Sequence, residues 1–176
     1  MPDEAVTVSA VFVPVSGGFA DVVPGAWYVD AVNYVVANGL MEGTSATTFE
    51  PEAQMTRAMF WTILARIDGE TITGATWADD AREWAVANNV SDGTNPHSPL
   101  TREQLVTMLW RYLGELTTSG TLTAFTDAAS VSDWAETAMA WAVNEGVITG
   151  VTATTLAPQS VATRAQCATI LMRNAF

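Results

Sequence analysis

The sequence predicts an all-α fold built from three helix–loop–helix units, with a short β segment ahead of them. Three observations carry that reading. The dipeptide Thr-Arg occurs at Thr56-Arg57, Thr101-Arg102 and Thr163-Arg164, each arginine six residues after a proline, at Pro51, Pro96 and Pro158. A second arginine follows nine positions on, at Arg66, Arg111 and Arg173, so the pattern takes six of the seven basic residues, all of them arginine. A tryptophan lies sixteen residues before a glycine three times, in the pairs Trp27/Gly43, Trp77/Gly93 and Trp134/Gly150. Recurrence at matched offsets marks a repeat architecture, in which no unit buries its apolar face alone.

Taken in order, residues 5–14 alternate apolar and polar like a strand and match no unit. Residues 1–18 therefore read as a strand-like linker or the remnant of an upstream β domain, with Gly17-Gly18 as a hinge. Units follow over residues 19–67, 68–114 and 115–176. Each opens with an amphipathic helix, because the tryptophan, a small alanine (Ala31, Ala81, Ala138) and a second aromatic (Tyr34, Trp84, Trp141) fall at i, i+4 and i+7. Asn38-Gly39, Asn88-Asn89 and Glu145-Gly146 stop it with residues that tolerate left-handed backbone. After the glycine loop and the proline, the threonine caps a second helix. Gln104 and Gln166 complete capping boxes, whereas Met59 cannot. Unit two departs from the others: three residues instead of eight separate its glycine from its proline, and it lacks the Phe-x-Asp of Phe19-Ala20-Asp21 and Phe125-Thr126-Asp127.

Composition narrows the function. A net charge of −12 opposes binding to nucleic acid or to an anionic lipid surface. No run of apolar residues is long enough for a membrane span. The single cysteine, Cys167, excludes an internal disulfide and reads as a buried, inert thiol. The acidic start lacks the regions of a signal peptide, so the chain reads as either intracellular or, the preferred reading, a piece of a larger exported protein. Catalysis finds no support: Asp79 and Asp80 are helix neighbours that point apart, and His97 has no partner for a metal or nucleophilic site. No cofactor is called for.

Phe-x-Asp, a tryptophan helix, the glycine, Phe49-x-Pro51 and Thr56-Arg57-Ala58 resemble the S-layer homology (SLH) domain, and three tandem units resemble its usual occurrence. The resemblance covers roughly residues 19–176. It implies a pseudo-threefold helical bundle whose inter-repeat grooves bind secondary cell-wall polysaccharide, often through a pyruvylated amino sugar. It thus implies non-covalent anchoring of an exported protein at the cell surface, wall or S-layer.

On that reading Arg57, Arg102 and Arg164 are the ligand-binding candidates. Each occupies the first turn of a helix, where unpaired N–H groups and the dipole favour an anion, and its guanidinium fork fits a carboxylate. Trp27, Trp77 and Trp134, at helix starts, offer faces for a sugar ring, and Gly43, Gly93 and Gly150 admit a ligand close to the backbone. Trp84 and Trp141 are assigned to the core. Asp21 and Asp127 serve equally well as loop acceptors or as sugar contacts. Arg57 paired with Glu50 or Glu52 is the plain alternative, set aside because the arginine recurs threefold. Arg66, Arg111 and Arg173, half a turn around the helix from the first arginines, are assigned structural roles in the last turn. The shortened loop of unit two predicts a poor site there, leaving the loops of units one and three. The rival reading is a helical-repeat protein-interaction or lattice-assembly module without carbohydrate binding.

Overall fold

Six α-helices make up the regular structure of residues 18–174, the part of the chain that the computed structural model describes. They are α1 (Val29–Ala37), α2 (Arg57–Ile67), α3 (Trp77–Ala87), α4 (Arg102–Tyr112), α5 (Glu136–Asn144) and α6 (Arg164–Asn174). Two single turns of 3₁₀ helix, Ala128–Ser130 and Asp133–Ala135, lead into α5. No strand occurs among the described residues, in keeping with the all-α class; the β segment expected over residues 5–14 lies outside them. No described helix is long and apolar enough to cross a membrane.

Helix boundaries follow from local chemistry. The hydroxyls of Thr56, Thr101 and Thr163 each accept the N–H three residues on, at 3.3 Å. The Gln104 and Gln166 side chains return the bond to the cap N–H at 3.1 and 3.5 Å, and Met59 leaves unit one with half a box. At the other end of the first helices, Gly39, Asn89 and Gly146 take φ of 66°, 57° and 70° and turn the chain out of the helix. Trp27 and Trp134 precede α1 and α5 instead of lying within them, which leaves their rings 61% and 50% exposed.

The units interlock. α3 packs on α2, α5 on α4, and α1 on α6, so the first helix of each unit lies on the second helix of the unit before it, cyclically. The buried aliphatic and aromatic side chains form one continuous core, with Trp61, Phe60, Phe49, Leu100 and Leu105 fully enclosed. Trp84 and Trp141 belong to it, at 8% and 3% exposure. Cys167 is buried too, and desolvation pushes its thiol up to about 12.

At the centre the units meet backbone to backbone. The Met55 N–H donates to Ala162 O at 3.0 Å, Ala162 N–H to Leu100 O at 2.8 Å, and Leu100 N–H to Met55 O at 2.8 Å, closing a ring. All three residues are fully buried. A second tier surrounds the ring: Arg57, Arg102 and Arg164 N–H groups donate to Ser98, Ser160 and Ala53 carbonyls, and Ala58, Glu103 and Ala165 N–H groups to Pro96, Pro158 and Pro51. The second helix of each unit (α2, α4 and α6) thus starts against the proline loop of another unit.

Those loops are themselves tied down. The Asp21 carboxylate accepts the Phe49 and Glu50 N–H groups at 2.9 and 2.7 Å, and Asp127 accepts those of Leu156 and Ala157 at the same distances. Both brackets hold a residue at positive φ, Glu50 at 55° and Ala157 at 52°. A Cβ on Gly43 would collide with Phe19 and the Ser45 and Thr48 carbonyls, and one on Gly150 with the Thr152 and Thr155 carbonyls beside Phe125. The Phe-x-Asp motif and the glycine are therefore two halves of one loop device: the phenylalanine packs on the glycine, and the aspartate holds the far end.

Two predictions follow from the ring and the brackets. Leu100→Ala deletes a fully buried side chain at the ring, and its expected cost is about 2–5 kcal/mol in urea unfolding. A loss below about 1 kcal/mol would show that the centre repacks. For the brackets, burial raises the Asp21 pKa, but the Phe49 and Glu50 N–H bonds outweigh it and hold the carboxyl below its ordinary range. At Asp127 the Leu156 N–H bond leads, against desolvation and with the Ala157 bond, to the same direction. Depressed folded values give stability that is present above the unfolded value, about pH 4, and lost as pH falls through the folded one. Replacing both residues by Asn should flatten the loss of thermal stability below about pH 4; an unchanged acid limb counts against the brackets.

Candidate functional site

Each Thr-Arg arginine reaches across to the loop of another unit. The Arg102 Nε donates to Leu156 O and its Nη2 to Thr149 O, both at 3.0 Å. The Arg164 Nε donates to Phe49 O at 2.7 Å and its Nη2 to Glu42 O at 2.6 Å. The Arg57 Nε donates to Thr94 O at 2.8 Å, but its Nη2 meets side chains, Ser91 Oγ at 2.8 Å and Asp92 Oδ1 at 2.6 Å. Neither Glu50 nor Glu52 is its partner; Asp92 is. All three arginines are largely buried, and burial pulls each guanidinium pKa down, though a guanidinium stays charged at any physiological pH. They are staples between units before they are anything else.

One expectation from the sequence is corrected here. The first N–H groups of α2, α4 and α6 are not free for an anion: residues 57, 58 and 59 and their counterparts all donate within the protein. What remains to attract an anion is the side-chain charge.

That charge is concentrated in two grooves. The groove beside α6, of about 280 Å³, is lined by Trp27 from unit one, Arg102 from unit two, and Thr149, Gly150, Gln166 and Arg173 from unit three. The groove beside α4, of about 340 Å³, is its counterpart, with Trp134, Arg57, Ser91, Asp92, Gln104 and Arg111. Each groove draws on all three units. Both sit near the small end of ligand pockets, roughly 300–1,000 Å³, a volume suited to a sugar-sized group. In each an exposed indole, apolar and flat, stands opposite two arginines.

The structure sorts the sequence candidates accordingly. Arg102, Trp27 and Gly150 come together, as do Arg57 and Trp134. Arg164 holds the loop of Gly43, and Trp77 is half-buried against the core. Gly93 is buried, at φ 71°. Asp21 and Asp127 give both carboxylate oxygens to the loop brackets.

Arg111 and Arg173, assigned structural roles from the sequence, line the grooves instead. Helical geometry misled there: an arginine nine residues on does face away from its own partner. The groove, however, pairs Arg111 with Arg57 and Arg173 with Arg102, arginines of the preceding unit. Recurrence in all three units was the signal that these residues share a role. Beside α2, the corresponding Arg66 pairs with Glu42 at 3.6 Å.

The S-layer homology domain model matches residues 18–58 and 124–168. The chain is 29% identical to Exoglucanase XynX of Acetivibrio thermocellus over 163 residues, 82% of this chain and 15% of that protein. It is 37% identical to the Surface-layer 125 kDa protein of Lysinibacillus sphaericus over 112 residues, 53% of this chain and 10% of that one. With the S-layer protein of Bacillus thuringiensis subsp. finitimus it shares 26% identity over 188 aligned positions, 96% of this chain and 23% of that one. The chain thus spans less than a quarter of each of these relatives. Domains of this family anchor proteins at the bacterial cell surface by binding cell-wall polymers, a binding role and not a catalytic one. The matched segments carry both Phe-x-Asp motifs and the Arg57 and Arg164 staples, and those two segments, residues 18–58 and 124–168, are S-layer homology domain sequence.

Proposed function

We propose that this chain anchors a larger exported protein to the bacterial cell wall, without a covalent link, by holding an acidic, pyruvate-bearing sugar of a secondary wall polymer in the α6 groove. The observation that carries the reading is the make-up of that groove: Arg102 and Arg173 face Trp27, and no carboxylate lines it among the described residues. Against a net charge of −12, an anion needs such a local concentration of positive charge. The indole supplies an apolar face for the sugar ring, and the guanidinium groups supply charge-assisted bonds to a carboxylate.

Arg173 separates binding from stability. It is exposed and lies in the last turn of α6, whereas Arg102 is buried and staples two units. Loss of one charge-assisted contact, about 1.5–3 kcal/mol, predicts roughly 10- to 150-fold weaker binding of Arg173→Ala to purified sacculi, with an unchanged melting temperature. Trp27→Ala weakens binding in the same way, while Arg102→Ala lowers both binding and stability. Sacculi stripped of secondary polymer should bind none of these proteins. Binding that survives stripping points to peptidoglycan, and no binding to intact sacculi favours a protein partner instead.

A further inference from the structure

We infer that the two grooves read different ligands: the α6 groove takes the anionic sugar, and the α4 groove takes an uncharged, hydroxyl-bearing sugar because Asp92 occupies the anion's place. This rests on the wall-anchoring reading and extends it to a second site.

The two linings correspond in sequence register, with Trp27, Arg102, Gln166 and Arg173 matched by Trp134, Arg57, Gln104 and Arg111; the loop differs, Ile148-Thr149 standing where the other has Ser91-Asp92. In the α6 groove the residue before the glycine is Thr149, and its backbone carbonyl receives the Arg102 Nη2. In the α4 groove that residue is Asp92, and its carboxylate receives the Arg57 Nη2. The same arginine atom thus meets a neutral dipole in one groove and a full negative charge in the other. Arg57 and Asp92 cancel, leaving Arg111 as the uncompensated cation, whereas Arg102 and Arg173 face no lining carboxylate.

Asp92 is ionised across the neutral range: burial raises its pKa, but the Thr94 N–H and hydroxyl and the charge of Arg57 together outweigh it. Its side chain is also 65% exposed, so an incoming ligand can reach it. A carboxylate repels a second carboxylate and accepts hydroxyl groups, being an acceptor only. Gln104 and Arg111 offer further polar groups on the helix side, and Trp134 offers the apolar face.

The test uses an amino-sugar glycoside bearing a pyruvate ketal and the same glycoside without it, titrated into the whole chain. The indole N–H signals of Trp27 and Trp134 in ¹H–¹⁵N spectra report the two grooves, assigned by Trp27→Phe and Trp134→Phe. The ketal sugar should shift Trp27 at concentrations at least roughly tenfold below any that move Trp134, about one charge-assisted contact; the uncharged sugar should shift Trp134. Asp92→Asn should make Trp134 respond to the ketal sugar. Thr149→Asp, which puts a carboxylate into the α6 groove, should silence Trp27 toward it, so the idea stays testable if the loop of unit two tolerates no change. Equal responses of both indoles to the ketal sugar overturn the assignment. So does silence of both indoles in a chain that binds sacculi. Failure to bind sacculi at all counts against the anchoring itself.

Discussion

Met55, Leu100 and Ala162 each directly precede an N-cap threonine, and each gives its N–H to a carbonyl in a different unit. The ring they close is fully buried. Its individual bonds contribute little, but a buried amide left without a partner costs about 1–3 kcal/mol. Removing one unit would strand both a donor and an acceptor at the centre, and would leave the first helix of the next unit without its packing partner. The three units are therefore a single cooperative object, and the helix starts that surround the ring inherit their positions from it.

From that arrangement comes the offset that governs how the two grooves are built. Because α2 starts against the loop of unit two, Arg57 can only staple that loop; by the same logic Arg102 serves unit three and Arg164 serves unit one. A groove is then composed of a loop and helix from one unit, an arginine from the unit before and a tryptophan from the third. Positive charge is collected from different parts of the chain into one cleft, which a short segment with seven arginines and nineteen carboxylates could not otherwise do.

Much of this was legible in the sequence because it is local. Threonine caps, the Gln104 and Gln166 boxes and the left-handed stops at Gly39, Asn89 and Gly146 depend on neighbours within a few residues, and they occur where the residue types put them. The core tryptophans Trp84 and Trp141 follow from helical spacing. The site was less legible because it is made between units. Arg111 and Arg173 face away from the arginine on their own helix, so a single-helix projection hides their meeting with Arg57 and Arg102. The occupied N–H groups at the helix starts were equally invisible, since their acceptors are Pro51, Pro96 and Pro158 in other units.

Unit two shows how the same mechanical demand can be met by different chemistry with a different result. In units one and three a long loop presents backbone carbonyls to the arginine, and an aspartate far back in the chain, Asp21 or Asp127, clamps the loop's end. Unit two has lost five loop residues and the Phe-x-Asp aspartate together. Asp92 takes over both tasks at once: it accepts the Thr94 N–H and hydroxyl to close the short loop, and it accepts Arg57 to keep the staple. The fold is indifferent to whether the acceptor is a carbonyl or a carboxylate, because either satisfies the buried guanidinium. The groove is not indifferent, because only the carboxylate cancels the charge that would draw an anion in. One carboxylate that the architecture accommodates thus gives two corresponding clefts a different net charge.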